Sequence, residues 1–381
     1  MREEDLELVR IRLAGLGRSW RPADVADALR SVGLVVSDAL VLRTMEQLRR
    51  TSVGAGPLEP LLGLPGVTDV LVNGAEQVYV DRGEGLERCP EEYFADEEEV
   101  RRLAVRLAAQ AGRRLDEASP CVDARLADGT RVHAVLAGLA DPGTCISLRI
   151  PGRQALGLER WVEGGSMDRR SADLLRALVE RRVAFLVSGG TGSGKTTLLA
   201  TLLGLVPASE RIVVVEDSRE LSPQHPHVVR LEARQANAEG VGAVDLTHLV
   251  RQALRMRPDR LVLGEVRGAE LCDLLTALNT GHEGGCGTVH ANSATDVPAR
   301  LEALAALGGM SREACHAQVA SALKVVVHVR RDPDGRRRLD QVGLVHRRPD
   351  RSIEVVEAMR VDRSGQGHPG QAWDELMGLV P

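Results

Sequence analysis

The chain has 381 residues and a formal net charge of −5, with 43% hydrophobic and 27% charged residues, the balance of an ordinary soluble globular protein. That length is too great for one small core and predicts two compact domains with extra helical or tail segments. Aromatic residues reach only 2% and arginine forms no long basic block, which disfavours a channel that stacks single-stranded bases on ring platforms.

Residues 1–53 read as a helical N-terminal segment. "DLELVRIRLAGL" sets Leu6, Val9, Leu13 and Leu16 at helical spacing. "SDALVLRTMEQLRR" opens on Ser37 or Asp38, both good N-caps, and continues without a breaker. The Gly- and Pro-rich "TSVGAGPLEPLLGLPG" marks a boundary. Residues 54–150 then read as a small α+β domain. "VTDVLVNGAEQVYVDRG" holds β-rich runs around the turn pair Asn73-Gly74, and "EEEVRRLAVRLAAQAG" is a helix stopped by Gly112. "VDARLADGTRVHAVLAG" is a second hairpin about Asp128-Gly129, and "TCISLRIP" is a strand closed by Pro151. Residues 151–170 read as a linker.

Over 171–345 strands and helices alternate: "VAFLVSG", "KTTLLATLLGLV", "RIVVVED", "LTHLVRQALRM", "RLVLGE", "LCDLLTALN". The alternation predicts an α/β domain with a mostly parallel sheet, whose ligands bind at the carboxyl ends of the strands. A hairpin about Asp334-Gly335 follows, with the Arg-rich "RRDPDGRRR" as a solvated turn. Residues 346–381 read as a C-terminal tail.

Between the first strand and first helix of this domain lies "GGTGSGKTTLL", a G-x-x-x-x-G-K-T pattern in the context that makes it a phosphate site. Its residues Gly189, Gly190, Thr191, Gly192, Ser193, Gly194, Lys195, Thr196 and Thr197 are candidate nucleotide ligands. Glycines let the backbone curl so that several N–H groups and the positive end of the helix face an anion. Lys195 supplies a point charge for the β- and γ-phosphates, and the Thr196 hydroxyl suits Mg²⁺. Two acidic strand tips stand beside it: Glu216-Asp217 after "RIVVV", and Glu265 after "RLVLG". Glu216 and Glu265 are candidates for polarising the attacking water or holding the metal, and each alone could equally be a solvated strand end.

"NTGHEGGCGTVHANS" places His282 and His290 around glycines, suited to close backbone approach to a ligand or to a moving loop. Either histidine contacts the γ-phosphate or is a structural loop residue, and their spacing is not a metal signature. A cation over the γ-phosphate would come from among Arg230, Arg234, Arg255, Arg257 and Arg267, which sequence does not rank. The six cysteines are widely spaced with no C-x-x-C pair, so zinc sites and disulfide frameworks are not expected. The acidic N-terminus has no apolar signal region, and no apolar run approaches the ~20 residues of a membrane span. A cytoplasmic protein is expected, peripheral to the membrane through a partner.

Four motifs in order resemble the type II/type IV secretion ATPase family, closest to its branch for tight-adherence (Flp) pili and conjugal transfer. The resemblance runs from about Gly56 to about Val345. "GPLEPLLGLPGVTDVLVNG" and "VDARLADGTRVHAV" are similar to the family's N-terminal domain, and "GGTGSGKTTLL" to its Walker A. "RIVVVEDSREL" is similar to the aspartate box, with Glu216, Asp217 and Glu220. "LRMRPDRLVLGEVRG" is similar to the atypical Walker B, where Gly-Glu is the norm, and "TGHEGGCGTVHANS" to the histidine box. The resemblance implies a RecA-like ATPase domain, ATP and Mg²⁺, a homo-hexameric ring with arginines shared between neighbours, and domain motion passed to an inner-membrane platform protein. It also implies that Arg149 in "ISLRIP" lies near the nucleotide. The four-cysteine module of some members is absent, so no zinc is expected. Rival readings are a nucleotide-gated scaffold with little turnover and a DNA-translocating ATPase, the latter disfavoured by the scarcity of aromatics, and no direct nucleic-acid binding is expected.

Overall fold

Val70, Val72, Val78 and Val80 are the alternate residues of two short β-rich runs, and all four are buried. A period of two with one apolar face folds as strands packed on a core from one side. The computed structural model describes residues 3–14, 21–52, 54–83, 85–150, 157–234, 236 and 241–380. It divides into two units, Met1–Pro151 and Gly152–Pro381.

In the first unit α1 (Glu3–Ala14), α2 (Pro22–Ser31) and α3 (Asp38–Ser52) pack around Val9, Leu13, Val25, Leu29, Val41 and Leu48. Leu16 lies outside the described residues. A short α4 (Glu59–Leu62) leads into β1 (Asp69–Asn73), β2 (Val78–Asp81) and β3 (Leu86–Arg88). Then come α5 (Glu97–Gln110), β4 (Cys121–Arg125), β5 (Arg131–Val135) and β6 (Cys145–Arg149). The six strands form one antiparallel sheet in the order β3-β2-β1-β6-β5-β4. Asp96 caps α5 by accepting from Glu99 N at 2.8 Å, and Val100, Leu103, Ala104 and Leu107 join the buried face of the strands in one cluster.

The second unit opens with α6 (Leu158–Glu163), α7 (Arg169–Glu180), β7 (Phe185–Gly189), α8 (Lys195–Leu203) and β8 (Ile212–Glu216). It continues through β9 (Val228–Glu232), α9 (Leu246–Leu254), β10 (Arg260–Leu263), α10 (Glu270–Leu278) and β11 (Cys286–His290). Next are α11 (Val297–Leu307), α12 (Arg312–Ala322), β12 (Val325–Arg331) and β13 (Arg337–Arg347). The chain closes on β14 (Ile353–Val361), β15 (Gly367–Pro369) and α13 (Trp373–Leu379). The strands make one nine-stranded sheet, β15-β14-β13-β12-β7-β11-β10-β8-β9. From β12 to β9 every pairing is parallel, and from β12 to β15 every pairing is antiparallel. The central strands β7, β8 and β10 are buried at every residue, as helices on both faces require. One face packs on α7 and α8, the other on α9 to α12.

Two segments differ from the sequence reading. Of residues 151–170, the stretch 151–156 lies outside the described residues. The rest is structured: Trp161 on α6 is 5% exposed and its Nε1 donates to Thr201 Oγ1 on α8 at 3.3 Å. Residues 346–380 are structured too, because β14 pairs along β13 and α13 buries Leu376. The register shifts between Val342 and Gly343, so the burial of β14 runs out of strict alternation. That bulge hides the period-two signal from the sequence.

The amino ends of the parallel strands hold a buried charge cluster. Arg260, 1% exposed, donates from Nε to Glu210 Oε2 at 2.6 Å and from Nη2 to Val179 O at 2.9 Å. Arg182 Nη2 donates to Glu210 Oε1 at 2.9 Å. A Cβ on Gly284 would lie 2.2 Å from Arg260 Nη1, so part of the glycine-rich stretch exists to admit this guanidinium rather than a ligand. Removing one partner of a buried pair strands the other charge. Glu210→Ala is expected to lower unfolding stability by about 3–5 kcal/mol, read by urea denaturation, and adding Arg260→Leu to recover much of it. Equal stability of Glu210→Ala and wild type would show that the cluster contributes nothing.

Candidate functional site

Parallel register decides which side chains meet. His290 pairs with Gly189, Leu263 with both Val215 and Gly287, and Glu216 with Glu232. The carboxyl ends of β7, β8, β10 and β11 therefore open on one edge of the sheet, carrying the glycine loop, Glu216, Gly264-Glu265 and His290.

The loop between β7 and α8 needs its glycines for two reasons. Gly192 and Gly194 have φ of +68° and +95°, where a side chain is strained. Gly194 is also crowded: a Cβ there would lie 3.3 Å from Arg337 Cδ and 3.5 Å from the Trp161 ring. The curl turns two carbonyls toward Lys195, whose Nζ donates to Gly189 O at 3.0 Å and Gly190 O at 2.7 Å. Ser193 Oγ closes the turn onto Gly190 O at 2.9 Å. Thr191, Gly192 and Thr197 are exposed, and Gly190, Gly194 and Thr196 are half-buried. Burial pulls Lys195 below its ordinary value, with Glu265 opposing.

Lys195 Nζ lies 3.5 Å from His290 Nδ1, and His290 Nε2 lies 3.1 Å from Glu265 Oε1. Burial, then the charge of Lys195, pushes the imidazole below its ordinary value. A neutral ring that accepts at Nδ1 and donates at Nε2 satisfies both neighbours. Glu265 Oε2 accepts from Arg267 Nη2 at 2.6 Å, and Arg267 Nη1 stands 3.8 Å from Asp217 Oδ2. The Arg267 and Gly268 N–H groups donate to Glu270 Oε1 at 2.6 and 2.7 Å, which fixes the turn that aims Arg267 back at Glu265. Lys195, His290, Glu265, Arg267 and Asp217 thus form one alternating chain along the edge.

Glu216 sits differently. It is 3% exposed; its Oε1 accepts from Glu220 N at 3.0 Å and Leu221 N at 2.9 Å, while Oε2 is buried with no hydrogen-bond partner. Burial pushes the carboxyl up to about 7. A Cβ on Gly264 would lie 2.4 Å from Glu216 Cγ. Gly264 is therefore glycine because Glu216 occupies its side-chain space, and an aspartate could not stand there.

The other sequence candidates divide by sheet edge. Arg230, on the outer strand β9, is exposed and its charge reaches Glu216. Arg234 donates from Nε to Gly242 O at 2.7 Å just beyond the end of β9. Arg255 and Arg257 precede β10, and His282 precedes β11, so all three lie at the amino edge, a strand's length from the glycine loop. The structure does not bring them to it, since among the parallel strands it is the carboxyl ends that meet at Gly189. His282 Nδ1 is instead buried without a hydrogen-bond partner. Arg149 belongs to the first unit, where its Nε donates to Asp69 Oδ1 at 3.0 Å.

Three residues escaped the sequence reading. Glu270 carries a local signal, an acidic residue three positions after the turn residue it caps. Buried His328 on β12 joins Ser188 Oγ through Nδ1 at 2.9 Å, just before the loop. Arg337, in the stretch read as a solvated turn, donates from Nε to Gly192 O at 2.9 Å. The last two come from strands more than a hundred residues downstream, and no local pattern announces such contacts. Among the described residues, no cluster of three or more His, Cys, Asp or Glu could hold a metal ion, and no helix is long and apolar enough to cross a membrane.

The family described as type II/IV secretion system protein matches residues 51–364. A protein named "Putative conjugal transfer protein" from Mycobacterium tuberculosis is 53% identical over 349 residues, 90% of this chain and 98% of that one. The type IV secretion system protein PtlH of Bordetella pertussis is 36% identical over 267 residues, 64% of this chain and 78% of PtlH. In fold, the chain resembles the pilus retraction motor PilT (TM-score 0.52, 19% identity, 82% of each chain). It also resembles the ATPase DotB of Legionella pneumophila (TM-score 0.50, 17% identity, 78% of each chain). With most of its length matched, and a full-length relative at 53% identity, the chain belongs to the type II/IV secretion system protein family.

Proposed function

We propose that the chain is an ATP-hydrolysing motor that powers conjugal transfer, type II/IV-type secretion or pilus assembly of the tight-adherence kind. The observation that carries this reading is the linked set of Lys195, His290, Glu265 and Arg267 at the mouth of the glycine loop. Apart from Lys195 the set is partly exposed and stabilises little by itself, and in this reading it supplies a base, a neutral donor and a cation to the γ-phosphate and its attacking water. The names of the mycobacterial and Bordetella relatives support the setting.

ATP binding proceeds in this reading by exchange. Lys195 leaves the Gly189 and Gly190 carbonyls for the β- and γ-phosphates, while the backbone N–H groups of 190–197 and the α8 terminus take the remaining charge. Glu265, held by His290 and Arg267, takes a proton from the attacking water, and Arg267 offsets charge on the γ-phosphate. An all-oxygen set of Thr196, Glu216 and Glu265 fits Mg²⁺, which binds few carboxylates and relies on substrate phosphates; the unpartnered Glu216 Oε2 is the oxygen in want of a partner. The ion would supply electrophilic polarisation of the phosphates. Arg149, Arg230 and Arg234 are kept as the exposed arginines available to a nucleotide held in cis or by a neighbouring copy. Assembly as a homo-hexamer on the cytoplasmic side, and transmission of domain motion to a membrane platform protein, are part of the same proposal.

Glu265→Gln is expected to reduce steady-state ATP turnover by about 10²–10⁴-fold while retaining ATP binding. Lys195→Ala is expected to weaken binding itself, measured with a fluorescent ATP analogue. Unchanged turnover in Glu265→Gln would favour a nucleotide-gated scaffold, and strong stimulation of the wild type by DNA would favour a translocase.

Glu216 gives a pH signature in nucleotide-free protein. Its folded value of about 7 lies above the ordinary 4.5, so between these pH values the folded chain retains a proton the unfolded chain has lost. Stability from this group is therefore present below about 4.5 and declines as pH rises to about 7. Glu216→Gln cannot ionise, so its stability relative to wild type should grow between pH 5 and pH 8 in urea titrations. A difference independent of pH would mean that the carboxyl is not desolvated.

A further inference from the structure

Taking the glycine loop as the phosphate site proposed above, we propose that Arg337 is a positioning residue for the nucleotide, a strut from the β12–β13 hairpin that holds the loop in its phosphate-binding shape. Arg337 meets the loop at two points. Its Nε donates to Gly192 O at 2.9 Å, and its stem lies against Gly194, with Cδ 3.3 Å and Cβ 3.9 Å from where a Cβ on Gly194 would stand. Both glycines are the left-handed residues of the loop. Because the peptide unit is planar and trans, holding the Gly192 carbonyl also sets the direction of the Ser193 N–H.

The strut is itself anchored. Arg338, 5% exposed, donates from Nε to Asp332 Oδ2 at 2.8 Å and from Nη1 to Val361 O at 2.8 Å. Arg336 donates to Gly165 O and, at 3.2 Å, to Arg363 O. Three consecutive arginines therefore have three separate fixings: one to the 165 and 363 loops, one to the glycine loop, one to the hairpin's own buried charges. Only the middle one reaches the phosphate loop. A loop ordered before the ligand arrives binds it more tightly, because the ordering cost is met in advance.

The test compares Arg337→Ala and Arg337→Lys with wild type. Lysine keeps the charge and the stem but loses the Nε donor. Both variants should weaken nucleotide affinity and raise KM by about 10-fold, the scale of one charge-assisted hydrogen bond, with kcat at saturation within about twofold. The loss should persist in 0.5 M salt, because it arises from loop geometry and not from a screened charge. In the nucleotide-free protein, amide hydrogen exchange over 190–194 should accelerate in both variants, with exchange in β7 and β13 unchanged. Wild-type affinity in Arg337→Lys, disappearance of the loss at high salt, or unaltered exchange over 190–194 would each overturn the strut. The exchange measurement needs no nucleotide, so it distinguishes failure of the strut from failure of the ATPase reading, which would show instead as wild-type protein that neither binds nor hydrolyses ATP.

Discussion

Lys195 is 7% exposed, and an ammonium removed from water needs acceptors on several sides. That need organises the carboxyl edge of the sheet. Two acceptors are carbonyls of the glycine loop, and they turn toward the ammonium only because Gly192 and Gly194 permit the left-handed curl. A third neighbour is His290, whose ring stays neutral partly because Lys195 is charged. A neutral ring presents one acceptor and one donor, so it hands the polarity on to Glu265, which shares its second oxygen with Arg267. Loop conformation, histidine tautomer and carboxylate direction are thus consequences of one buried cation.

The glycines of the parallel strands serve a second economy, that of space. Gly264 is absent of side chain so that Glu216 can lie across it, and Gly284 so that Arg260 can reach Glu210. The two cases sit at opposite edges of the sheet and have opposite outcomes. At the amino edge both carboxylate oxygens are taken, with the hydrogen bonds of Arg260 and Arg182 holding Glu210 below its ordinary value against burial. At the carboxyl edge Glu216 is left with one oxygen unpartnered and a raised proton affinity. Mismatch of that kind does not stabilise the fold, and it makes Glu216 a candidate for a functional role.

What was legible in the sequence was what is encoded locally. The G-x-x-x-x-G-K-T pattern, the apolar runs ending in Glu216 and Glu265, and the Asp334-Gly335 turn each depend on neighbours within a few residues, and the structure forms a loop, two strand tips and a hairpin there. Membership of the family followed from the order of such motifs. His282 and His290 could not be separated by composition, since both flank the same glycines, but they bracket a strand and so emerge at opposite edges. The same geometry sets Arg267, after β10, apart from Arg255 and Arg257, before it. β14 was missed because a register shift disrupts its alternation, and α6 because six residues are too few to show a helical period.

The position of the Arg-rich hairpin follows from topology rather than from its own residues. β12 runs parallel to β7, with Val325 opposite Phe185 and His328 opposite Ser188. Its carboxyl end must therefore emerge at the same edge as the glycine loop, next to it, because no strand lies between them. The turn at Asp332–Gly335 sends the chain back antiparallel, so that Arg337 returns opposite Arg331 at that edge. A solvated turn would be the natural fate of so many arginines at a hairpin tip on an outer strand. Here the antiparallel extension begins directly beside the strand that carries the loop, and the hairpin becomes a wall of the site.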